Sequence, residues 1–205
     1  MFKRTIIALV GAAALVVCGN ASAQLKYNYI EAGYSFTDLD GIGDGNGVNV
    51  GASFSPIQNL FLFADGTWST VDFDEIADDI DGDSFTGTVG VGGYFPLTQN
   101  LDIVGKAGWA FSNFDLGDIA DDIDSNSVEI EIGLRALLGS ALEIGAFVGW
   151  DDLESSFDSD DDDDDNGLAI DLYGIYHLSH SLGIGVATTL QEDVTGFNAF
   201  VRLHF

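Results

Sequence analysis

From residue 25 to its last residue the chain repeats one pattern, an apolar residue at every second position with small or polar residues between. The final stretch shows it plainly: Phe197, Ala199, Val201, Leu203 and Phe205 alternate with Asn198, Arg202 and His204. A period of two sends these sets to opposite faces of a strand. Such runs occupy 25–36, 47–55, 60–71, 84–95, 101–113, 127–138, 142–151, 167–178, 182–191 and 196–205. Their lengths approach the roughly 9–11 residues a tilted strand needs to cross a bilayer. The pattern predicts an all-β fold, an antiparallel up-and-down transmembrane β-barrel of ten strands, with eight as the alternative count. An even number returns both termini to one side.

The connections alternate in character. The short ones, 55–59, 96–100, 139–141 and 179–181, contain no acid, lysine or arginine. The long ones hold Asp38, Asp40 and Asp44; Asp72 to Asp83; Asp115 to Asp124; Asp151 to Asp165; and Glu192 with Asp193. A soluble sandwich has no reason for this sorting, whereas a membrane barrel has tight periplasmic turns and larger external loops. Across the short turns the register is expected to set Phe54 against Leu60, Phe95 against Leu101, Leu138 against Leu142 and Leu178 against Leu182. Ile30, Val48, Leu62, Val91, Ile132, Val148 and Ile184 then belong to an outward apolar band. Phe36, Trp68, Phe85, Trp109, Phe111 and Trp150 fall near one rim, and Phe54, Phe95, Tyr176 and Phe205 near the other. Two aromatic belts mark the two interfaces of a bilayer.

The first residues change the picture by adding a route. Lys3 and Arg4 precede an apolar core from Ile6 to Val17, and Ala21-Ser22-Ala23 forms a small-residue cleavage site. Residues 1–23 therefore read as a cleaved secretory signal peptide and 24–205 as one barrel domain with acidic extracellular loops. The single cysteine, Cys18, lies in the leader, so the mature chain is expected to hold no disulfide. A formal net charge of −28 argues against nucleic acid as a partner. Export and a barrel together point to the outer membrane of a Gram-negative bacterium.

The acids outside the long connections are Glu31, Asp65, Asp102, Glu129, Glu131, Glu143 and Asp171. With Lys106, Arg135 and Arg202 they are placed inward, because Arg or Lys facing lipid at mid-depth costs about 2–4 kcal/mol. The rest of the inward face is read as mostly Gly, Ala, Ser and Thr. Two readings of the charges stand. Glu31, Asp65, Glu131 and Asp171, opposed by Lys106, Arg135 and Arg202, line a narrow cation-preferring pore. Or the same groups pair into a plug, since buried charges need partners.

Asp160, Asp161, Asp162, Asp163, Asp164 and Asp165 form an unbroken carboxylate run, a candidate for weak, collective binding of Ca²⁺ or Mg²⁺. Asp162, Asp164, Asn166 and Gly167 mimic the start of an EF-hand loop, but Tyr173 stands at its twelfth position, where a carboxylate is required. His177, His180 and His204 lack ligand spacing and read as solvated or interfacial. No nucleophile-elbow motif is present, so no catalytic residue and no cofactor is assigned, and an enzyme is not expected.

Tyr27–Tyr34 (YNYIEAGY), Ser53–Trp68 (SFSPIQNLFLFADGTW) and the aromatic last strand resemble the small Gram-negative outer-membrane barrels, a broad group that includes OmpA-like and opacity-type proteins. They look closest to a xanthomonad-type family that carries a quorum-factor or immune-elicitor label. The resemblance implies insertion by the barrel-assembly machinery, with the strand ending in Phe205 as the assembly signal. Outer-membrane lipid and lipopolysaccharide are its expected neighbours. It implies no activity. The expected role is non-enzymatic, structural or at the surface, with the acidic loops collecting divalent cations. A narrow cation-preferring channel and an adhesin or signalling surface protein are the alternatives, and the external ligand is unassigned.

Overall fold

A computed structural model describes residues 25–39, 43–72, 81–115, 123–154, 167–191 and 194–205. Ten strands make up nearly all of it: β1 (Tyr29–Leu39), β2 (Gly43–Ile57), β3 (Leu60–Asp72), β4 (Asp81–Thr98) and β5 (Leu101–Asp115), then β6 (Ile123–Leu138), β7 (Leu142–Glu154), β8 (Gly167–His177), β9 (Leu182–Leu190) and β10 (Val194–His204). Each strand pairs antiparallel with its sequence neighbour, and β1 pairs with β10 to close the barrel. Closure leaves no edge with unpaired backbone groups. Among the described residues there is no helix.

Alternation decides the faces. Val91, Ile132 and Val186 point outward and are 57%, 63% and 63% exposed. A whole surface of such residues suits hydrocarbon, not water. Trp68, Trp109 and Trp150 ring the end with the long acidic connections, the loop end. Phe54, Phe95, Tyr176 and Phe205 ring the turn end.

The turns depart from the expected register. β2 and β4 run on past Phe54 and Phe95, leaving Gln58–Asn59 and Gln99–Asn100 as two-residue turns. Phe54 therefore faces Leu62, not Leu60, and Phe95 faces Ile103, not Leu101. Pro56 and Pro96 explain the shift. Neither has an N–H for the ladder, and a bulge sits beside each, between Phe54 and Ile57 and between Pro96 and Thr98. Asn59 supplies the positive φ, 68°, that its tight turn demands. Leu138 does face Leu142, and the Leu178 N–H donates to the Leu182 carbonyl at 2.8 Å.

The inward face differs more. It is not lined only by small residues: Phe61, Phe63, Phe147, Tyr173 and Phe200 point inside. Each stands directly across from a glycine of the next strand, namely Gly92, Gly90, Gly133, Gly145 and Gly185. A Cβ on Gly133 or Gly185 would lie 2.5 Å from a ring carbon of Phe147 or Phe200, and one on Gly92 or Gly145 would collide with Phe61 or Tyr173. The inward glycines are thus beds for aromatic rings, which fill the turn half of the lumen with Leu25, Tyr27, Val104 and Leu137.

The first strand is the other correction. Leu25–Asn28 do not join β1. Leu25 and Tyr27 are instead 8% and 5% exposed, buried in that aromatic cluster. Burial of two large apolar side chains outweighs a few more edge pairs at the strand's start.

Gly92→Ala and Gly145→Ala are expected to destabilise the refolded barrel by about 1–3 kcal/mol each through overpacking. Gly174→Ala is the control, since nothing lies within 4 Å of its added Cβ. Urea midpoints in detergent check this; equal midpoints for all three variants would contradict it.

Candidate functional site

The lumen holds every charge that the strands turn inward. Two ion pairs follow directly from cross-strand register, where opposite charges meet across one rung. Lys106 of β5 faces Glu131 of β6, and the two form an ion pair. Glu31 of β1 faces Arg202 of β10 across the closing seam, and Arg202 Nε and Nη2 both donate to Glu31 Oε2, at 2.7 and 2.6 Å.

A third group forms between strands. Glu143 is 1% exposed, and a carboxylate so buried needs several partners. Arg135 Nη2 donates to its Oε1 at 2.7 Å and the Tyr173 hydroxyl donates to the same atom at 2.9 Å. His177 Nε2 lies 3.3 Å from Oε2, and Arg202 Nη1 lies 3.8 Å from Oε1. Both guanidinium groups also rest on rings, Arg135 4.3 Å from the centre of Tyr27 and Arg202 3.9 Å from that of Tyr29. Such contacts stabilise a cation most where water is excluded.

Leu25–Asn28 complete the closure of the turn end. The Tyr27 ring stacks on Tyr94 with centroids 3.9 Å apart and planes 6° apart, and lies 5.1 Å from Phe61. Its hydroxyl donates to Asp102 Oδ2 at 2.8 Å, and its carbonyl accepts from Ser53 Oγ at 2.8 Å. Burial raises the Tyr27 phenol far above the ordinary tyrosine range, so it stays protonated and remains a donor. Arg135 Nη2 donates to the Lys26 carbonyl at 3.1 Å, and Lys26 Nζ to the His180 carbonyl at 2.5 Å.

Above this layer lies a cavity of about 560 Å³. Asp65, Glu129 and Asp171 line it with Asn49, Asn198, Thr67 and Thr86. Thr88 donates to Glu129 at 3.2 Å and Thr189 to Asp171 at 2.5 Å. The lumen is therefore divided, packed at the turn end and open and acidic toward the loop end.

Of the lumen charges expected from sequence, Glu31, Lys106, Glu131, Arg135 and Arg202 stand in ion pairs, and Asp65 and Asp171 line the upper cavity. Sequence reasoning passed over Tyr27 as a lumen element and gave Glu143 no special place. A cue existed for Tyr27: Leu25 and Tyr27 share the parity of Glu31, hence the inward side. No local cue exists for Glu143, whose partners lie on β6, β8 and β10. The histidines need correction. His180 is exposed, but His204 is 5% exposed, its ring 5.3 Å from that of His177, with neither nitrogen hydrogen-bonded among the described residues. Inward parity at the packed end buries the His204 ring and half-buries that of His177. Asp160–Asp165 lie outside the described residues. Phe205 is exposed at the turn-end rim, its N–H donating to the Asn28 carbonyl at 3.2 Å. Among the described residues, no three His, Cys, Asp or Glu side chains are grouped to hold a metal.

The architecture is similar to that of solved outer-membrane barrels. The beta domain of the Bordetella autotransporter Brka matches over 87% of this chain and 100% of its own, at 11% identity and a TM-score of 0.50. Ail, the attachment invasion locus protein of Yersinia pestis, solved in complex with the heparin analogue sucrose octasulfate, matches over 87% and 97%, at 16% identity and a TM-score of 0.46. KdgM porin matches over 86% and 99%, at 9% identity and a TM-score of 0.46. No protein-family model and no curated protein matches the chain. At these identities the likeness is one of fold.

Glu143→Gln leaves Arg135 without its carboxylate inside the packed layer and is expected to cost about 3–5 kcal/mol. Asp65→Asn, in the open cavity, is expected to change stability little. Urea titration of the two refolded variants checks the ranking, and equal losses would contradict it.

Proposed function

We propose that this chain, exported by its leader and inserted in the outer membrane, is a non-enzymatic barrel that works at its external rim. There its carboxylates collect Ca²⁺ or Mg²⁺ against the anionic headgroups of lipopolysaccharide. The observation that carries this reading is the register of the rim. Asp38 faces Asp44 and Asp44 faces Asp72, a row across three consecutive strands. Asp83 faces Asp115 in the same way. These positions have outward parity and stand beyond the tryptophan girdle, at the depth of lipid headgroups.

Like charges directly opposite destabilise a sheet. Divalent cations shared between this row and lipid phosphates would offset that repulsion, using oxygen ligands of the kind both ions prefer. Asp160–Asp165 would add their carboxylates to the same collective binding.

Stability should depend on divalent cations. Chelation is expected to lower the urea midpoint of the wild type and calcium to restore it. Asp38→Asn with Asp44→Asn and Asp72→Asn should raise the midpoint in chelator, by ~0.2–1 kcal/mol for each like-charged pair relieved, and reduce the calcium response. A wild type with one midpoint in chelator and in calcium would sink the proposal.

A further inference from the structure

Two water-accessible spaces meet at one side chain. The upper cavity descends from the loop end to Tyr27, Arg135 and Arg202. A second pocket of about 380 Å³ opens at the turn end among Leu25, Lys26, Pro56, Gln58 and Tyr94. Among the residues lining either space, Tyr27 is the one that lines both. Tyr27 stands where the two spaces approach each other.

The segment that carries this ring is not part of the wall. β1 begins at Tyr29 and pairs with both neighbours from there, so the cylinder closes without Leu25–Asn28. What keeps Tyr27 in place is side-chain packing and bonding outside the strand ladder: Tyr94, Phe61 and the Arg135 guanidinium against its ring, the hydroxyl bond to Asp102, the Ser53 bond to its carbonyl, and the burial of Leu25 beside it. A segment held in this way, without ladder bonds to both neighbours, detaches at lower cost than a strand of the closed sheet.

We propose that Leu25–Asn28 form a gate with Tyr27 as its closing element, and that its withdrawal joins the two spaces into a cation-preferring path across the barrel. The preference follows from the lining. Lys106, Arg135 and Arg202 line the cavity against Glu31, Asp65, Glu129, Glu131 and Asp171, so carboxylates outnumber cationic groups along it. Withdrawal also takes the Tyr27 donor from Asp102 and leaves a carboxylate at the mouth. A narrow passage lined in this way concentrates cations and repels anions. The gate lies at the opposite end from the rim carboxylates, so it stands independently of cation collection there.

The test is current through planar bilayers holding refolded chains of residues 24–205, each first shown to give the heat-modifiable form of a folded barrel. Wild type and Tyr27→Phe, which retain the ring, are expected to show no sustained current. Tyr27→Gly is expected to conduct in discrete steps, with its reversal potential in a KCl gradient shifted toward that of potassium. Adding Asp65→Asn and Asp171→Asn should shrink that shift. A chain starting at Asn28 keeps all ten strands and should conduct likewise; it decides the matter should Tyr27→Gly fail to fold. Folded Tyr27→Gly or truncated barrels that stay silent would overturn the gate, as would a wild type that conducts as well as they do. The calcium dependence of stability, measured on the same samples, reports on the rim separately.

Discussion

A sheet bathed by hydrocarbon on one face has nowhere to leave an unpaired backbone group, and the whole molecule is organised around that constraint. Ten antiparallel strands meet it by bringing β1 onto β10. The seam is the pairing most distant in sequence, and Glu31 and Arg202 sit directly across it. A register slip by one residue would put that ion pair on the apolar side, so the same contact that fills the lumen also distinguishes the correct closure from its neighbours.

Once the cylinder is closed, its interior must be either packed or wet. The turn half is packed, and its means are specific. Rings of Phe61, Phe147 and Tyr173 lie over glycines of the adjacent strands, which lets bulky side chains enter a narrow tube without pushing its wall apart. Glu143, Arg135 and Arg202 are tolerated there because each has charged or aromatic partners. The loop half is lined by Thr, Asn and the carboxylates of Asp65, Glu129 and Asp171 and stays open. Tyr27 stands at the boundary, and for that reason a segment outside the sheet governs whether the tube has one end or two.

The outer surface shows a complementary division. Apolar side chains end at aromatic girdles, and beyond the loop-end girdle the outward positions become aspartates stacked rung upon rung. In water alone such a row opposes folding. The proposed collection of divalent cations at the rim would turn the same repulsion into a reason for binding them.

Strand number, the outward face and the sorting of acids to one end were legible in the chain, because alternation with period two is a property of consecutive residues. The two bulged turns were missed, since Pro56 and Pro96 shift a register that counting across the turn cannot detect. The inward glycines were visible, but not their purpose, which depends on rings one strand away. The separation of the lumen into a packed half and an open one, the central place of Glu143, and the inward turn of Leu25–Tyr27 were settled only by the closed barrel. Each depends on side chains far apart in sequence meeting across a cylinder, and their distances exist only once curvature and stagger have brought those strands face to face.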